Sequence, residues 1–101
     1  MISTLPEVVV DIEARRVTKG GEELDPTYLE FELLAYLVQN RRRMITATSL
    51  LEQLWEDGFM SLGSIYNLVG RVRQKLGPGY IYNRRGVGYR VSQRVVQGTI
   101  E

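Results

Sequence analysis

The chain has 101 residues, 44% of them hydrophobic and 25% charged, with a formal net charge of +1 and neither cysteine nor histidine. That is enough for one apolar core, and it excludes disulfides, thiolate metal sites and histidine-based acid–base chemistry. No apolar run approaches the ~20 residues of a membrane span, and the N-terminus lacks the basic flank and apolar centre of a signal peptide, so a soluble, cytoplasmic protein is expected. The small net charge hides a division. Residues 1–60 hold eleven acidic and six basic side chains, whereas residues 61–101 hold seven basic ones (Arg71, Arg73, Lys75, Arg84, Arg85, Arg90, Arg94) against Glu101 alone. A field split in this way turns the C-terminal face towards a polyanion. No catalytic constellation, metal-ligand spacing, cofactor motif or small-molecule site stands out, and no enzyme is expected.

Residues 1–6 contain Ser3, Thr4 and Pro6 and read as a linker or disordered start; the domain is expected over 7–94 and a tail over 95–101. The β-branched runs at 7–12 and 15–18, the turn signal Gly20-Gly21 and the short run EEL predict an N-terminal antiparallel meander. T-Y-L-E at 27–30 is a capping box opening a helix that runs to about Asn40 and buries Leu29, Leu33, Leu34, Leu37 and Val38. Arg41, Arg42 and Arg43 then read as a solvated corner. Thr46 offers the next N-cap, and Leu50, Leu51, Leu54 and Trp55 predict a second helix to about Glu56. Residues 57–63 read as a loop carrying Phe59, Met60 and Leu62.

The third helix is expected from about Ser64 to Leu76, stopped by Gly77-Pro78-Gly79. At 100° per residue Ile65, Leu68, Val69, Val72 and Leu76 form one buried stripe. Opposite it lie Asn67, Gly70, Arg71 and Gln74, with Tyr66 and Arg73 on one shoulder and Ser64 and Lys75 on the other. This face has no carboxylate, holds amide and guanidinium groups able to make paired hydrogen bonds, and includes a glycine that permits close approach. The last segment, YIYNRRGVGYRVSQRVV, predicts two strands and a tip from which Asn83, Arg84 and Arg85 project, a shape and charge matched to a minor groove.

Four stretches, TYLEFELLAYL, ITATSLLEQLW, RVRQKL and RRGVGYRV, occur in an order and spacing that resembles the OmpR/PhoB-type output domain of bacterial two-component response regulators, over residues 8–92. The resemblance implies an α+β winged helix-turn-helix: an N-terminal four-stranded sheet, three helices and a C-terminal hairpin wing. It also implies sequence-specific binding of double-stranded DNA and transcription regulation. Asn67, Gly70, Arg71 and Gln74 are then expected at the major groove, and Trp55, Ser64, Tyr66, Arg73 and Lys75 at the DNA backbone. Asn83, Arg84, Arg85 and Arg90 are expected at the wing and minor groove, and Gly58, Phe59 and Met60 at a contact with RNA polymerase. Two copies on repeated half-sites would add avidity. The chain departs from the family at Gly70, where a long polar side chain is frequent, and at Tyr66, where an acidic one is. No receiver module precedes the domain here, which leaves an excised output domain, a standalone regulator or a fusion to another sensor. The competing reading is a winged-helix module for protein interaction or dimerisation without DNA readout.

Overall fold

The computed structural model describes residues 5–54 and 61–101. In chain order it contains β1 (Val8–Asp11), β2 (Arg16–Lys19), β3 (Glu22–Glu23), α1 (Tyr28–Gln39), α2 (Ala47–Leu54), α3 (Leu62–Leu76), β4 (Ile81–Arg84), β5 (Gly88–Val91) and β6 (Val95–Gln97). No described helix is long and apolar enough to cross a membrane.

The first three strands form the expected antiparallel meander, with Val8 opposite Lys19 and Thr18 opposite Glu23. The fourth strand of the sheet comes from the other end of the chain: the order is β3-β2-β1-β6, and β6 runs parallel to β1 with Val8 opposite Val95. Residues 95–97, expected in a tail, are thus part of the sheet. Val95 is fully buried. Arg41, expected as a solvated corner, donates through its guanidinium to the Val95 carbonyl at 2.5 Å and to that of Ser92 at 3.2 Å. On the far side the Asp11 carboxylate accepts from the Ile100 N–H at 2.9 Å and the Ala14 N–H at 3.1 Å. Those backbone donors, Ile100 first, hold its carboxyl below the usual range. Leu5 and Pro6, placed in the linker from sequence, are tied down too: their carbonyls accept from Arg94 Nε at 2.9 Å and the Tyr80 hydroxyl at 2.5 Å.

α1 forms where the capping box predicts. The Thr27 hydroxyl accepts from the Glu30 N–H while the Glu30 carboxylate accepts from the Thr27 N–H. Its buried Leu33, Leu34, Leu37 and Val38 meet Leu50 and Leu54 of α2, Ile65, Leu68, Val69, Val72 and Leu76 of α3, and Val8, Val10 and Val17 of the sheet in one core. Each large side chain so buried contributes about 1.5–3 kcal/mol. α3 begins two residues before the sequence reading, because Ser61 is its N-cap, with Ser64 as the reciprocal partner.

Candidate nucleic-acid interface

An isolated β-bridge helps tie the β4–β5 hairpin to the helical part of the domain. Ile45 and Tyr89 exchange two backbone hydrogen bonds, at 2.7 and 2.8 Å, extending the hairpin by one residue of the segment between α1 and α2. Gly88, at φ 139°, lies so close to Ile45 that a Cβ there would collide with its carbonyl oxygen. The glycine before Tyr89 is therefore required by contact as well as by backbone angle. Tyr89, buried, turns back towards α3, where the Arg73 guanidinium lies 5.8 Å from its ring centre and donates to the Ile81 carbonyl at 3.3 Å. Burial pushes the Tyr89 phenol up, with Tyr66 adding to the effect and Arg73 opposing it.

α3 presents the face that its periodicity predicts. Asn67, Gly70, Arg71 and Gln74 are exposed, and so is Tyr66, while the apolar stripe is buried. The structure brings Asn83 and Arg84 to the exposed end of the hairpin beside the start of α3, with Arg85 exposed in the turn that follows. A groove of about 240 Å³ separates the two, lined by Thr46, Thr48, Leu62, Tyr66, Asn83 and Arg84 among others. Thr46 and Thr48 were not foreseen as part of this surface. The only signal for them was Thr46 as a cap, and its hydroxyl does accept from the Ser49 N–H at 3.0 Å.

Other expected contacts are arranged differently. Lys75, expected at the DNA backbone, points to the scaffold: its ammonium lies 2.8 Å from Glu30 and 2.6 Å from the Asp25 carbonyl. Arg73 is drawn to the hairpin base as described. Ser64, half-buried, uses its hydroxyl to accept from the Ser61 N–H at 3.3 Å. Arg90 stands opposite Tyr82 across the hairpin, and strand alternation puts both on the face away from Tyr89, in a cleft with Arg94 and Gln93. It does not join α3 in one surface. Trp55, Gly58, Phe59 and Met60 lie outside the described residues.

Glu30 does more than the capping role that its sequence position predicts. Besides capping α1, it receives Lys75 and sits 3.9 Å from Arg71 Nε, while Arg71 stays 61% exposed. Burial alone would raise the Glu30 carboxyl, but the hydrogen bonds from Lys75 and Thr27 outweigh it and hold the group below its ordinary value. One carboxylate thus anchors the second half of α3 to the start of α1. Arg84, Arg85 and Arg90 make no ion pair among the described residues.

The arrangement is an exposed helix face without carboxylates beside a hairpin tip whose guanidinium groups make no ion pair among the described residues, the two held in fixed relation through Arg73, Tyr89 and Ile45. Comparison with known proteins agrees. The response regulator DrrB, a Thermotoga maritima OmpR/PhoB homolog, is 30% identical with a TM-score of 0.76 over 82% of this chain and 40% of its own. This chain therefore spans two-fifths of the length of that regulator. The Klebsiella pneumoniae RstA DNA-binding domain, solved in complex with the RstA box, is 26% identical with a TM-score of 0.74 over 89% of this chain and 95% of its own. The DNA-binding domain of Bacillus subtilis CssR is 25% identical with a TM-score of 0.73, over 85% and 100%. The family model described as transcriptional regulatory protein, C terminal, matches residues 21–91. On that match and that winged helix-turn-helix fold, the chain belongs to the OmpR/PhoB-type family of C-terminal DNA-binding domains of transcriptional regulatory proteins.

Proposed function

We propose that this domain regulates transcription by sequence-specific binding of double-stranded DNA in the cytoplasm, without enzymatic activity. α3 lies in the major groove and the β4–β5 tip reaches the adjacent minor groove. Asn67, Arg71 and Gln74 face base edges, Tyr66 flanks them, and Arg84 and Arg85, with Asn83, enter or border the minor groove. Thr46 and Thr48 adjoin the phosphates between. The observation that carries this reading is the absence of any carboxylate from the exposed α3 face between Asn67 and Gln74, beside Arg84 and Arg85, which make no ion pair among the described residues. An α-helix matches the width of the major groove, about 12 Å, and a narrow arginine-bearing finger matches the minor groove.

The domain is proposed to work as the output part of a longer regulator, with a second copy on a repeated half-site adding affinity. The segment Gly58, Phe59 and Met60 is its proposed contact with RNA polymerase. Titration of labelled random and pool-selected duplexes at about 50 and 200 mM salt tests the central claim, because each phosphate neutralised adds about 0.9 to the slope of log affinity on log salt. Binding that is tighter for the selected duplex and falls steeply with salt supports it. No binding at low salt, or none that depends on sequence, sinks it in favour of a protein-interaction module.

A further inference from the structure

Nothing among the described residues accounts for a glycine at position 70. Gly70 lies mid-way along α3, exposed, and a Cβ built on it would meet no atom within 4 Å. Its backbone is helical and it is absent from the positive-φ glycines. Neither crowding nor a special backbone angle requires it, although glycine weakens a helix relative to alanine. A partner that approaches this face closely would give the glycine a reason.

The missing side chain leaves a notch in the helix surface. Asn67 stands one turn before it and Gln74 one turn after, both exposed, so the floor is an apolar Cα–H with an amide on either side along the helix, and exposed Tyr66 and half-buried Arg73 complete the rim. A phosphate is poorly served by such a floor, which carries no charge and no free N–H in mid-helix. In the major groove the projecting apolar group on a base-pair edge is the thymine methyl, and the adenine edge offers the donor and acceptor that Asn and Gln amides match.

We propose that Gly70 is a seat for a thymine methyl group, so that this chain selects an A·T pair opposite the middle of α3. This rests on the placement of α3 in the major groove proposed above. It makes position 70 a specificity determinant through the absence of a side chain.

The test takes the tightest duplex recovered by the wild-type chain from a random pool and remakes it with deoxyuridine in place of thymine, one position at a time. At one position the wild-type affinity should fall about fourfold, as for the loss of one buried methyl group. Gly70→Ala, whose methyl fills the notch, should bind the thymine duplex roughly tenfold more weakly. It should bind the uracil version of that position at least as well as the thymine version. Its melting temperature should rise by about 4–8 °C, showing that the affinity loss is not a loss of fold. Undiminished binding of the thymine duplex by Gly70→Ala, or uracil effects that are the same for both proteins at every position, overturns the proposal while leaving duplex recognition intact. Failure of the wild-type chain to enrich any sequence removes the major-groove reading and this proposal with it.

Discussion

The Lys75 ammonium sits 2.8 Å from the Glu30 carboxylate, joining the last turn of α3 to the first turn of α1. Because the folded protein holds the Glu30 carboxyl below its unfolded value, its contribution to stability is complete above about pH 4.3 and is lost as pH falls through the folded value. Glu30→Gln should cost about 1–2 kcal/mol at pH 7, a charged hydrogen bond discounted because Lys75 is partly exposed. Urea unfolding at pH 7 and pH 3 checks this. The gap between wild type and variant should close in acid, and a gap of constant size would mean that the carboxylate charge is not its source.

Gly88→Ala and Gly86→Ala separate contact from backbone angle. Both glycines have positive φ, but a Cβ at Gly86 meets open space whereas one at Gly88 strikes the Ile45 backbone. Gly86→Ala should cost about 1–2 kcal/mol and Gly88→Ala about 2–4 kcal/mol, measured by thermal unfolding. Equal costs would show that the Ile45–Tyr89 bridge yields easily.

Among the cations, the geometry ranks the effects on duplex binding. Arg71→Ala should cost about 1–3 kcal/mol and relax the sequence preference, whereas Arg84→Ala should weaken all duplexes alike and lower the salt slope by about 1. Arg90→Ala should matter less than Arg84→Ala, because Arg84 borders the groove against α3 whereas Arg90 lies in the cleft with Tyr82, Gln93 and Arg94. Titration of selected and random duplexes distinguishes these outcomes. Equal losses on both for Arg71→Ala would remove it from base reading.

Val95→Ala should cost about 2–3 kcal/mol in urea unfolding, since Val95 is fully buried in the core and its truncation leaves a cavity. A loss below about 0.5 kcal/mol, the range of ordinary surface substitutions, would contradict the role of β6.

The helices were legible because their signals are local. The capping box at Thr27 and Glu30 and the stripe from Ile65 to Leu76 each depend on spacings of three or four residues, and both occur as read. The hairpin was legible for the same reason, through its tip glycines. β6 was not, since a strand of three residues gives no periodicity and its partner Val8 lies at the opposite end of the chain. The outward face of α3 followed from helical phase, but the partners of its cations did not. Whether Lys75 meets a phosphate or Glu30, and on which side of the hairpin Arg90 falls, depends on how α1 and the strands pack, which charge counts along the chain do not encode.

The parallel pairing of β1 with β6 also sets how the domain bears load. If Leu5 and Ile100 are drawn apart, the two strands slide along each other, so the bonds Val8 N–H to Arg94 carbonyl and Gly98 N–H to Val10 carbonyl are strained together and not one after another. Tension arriving from neighbouring segments at both ends would thus meet a shear clamp, and single-molecule stretching between those residues should yield at a higher force than peeling open the antiparallel tip between β4 and β5.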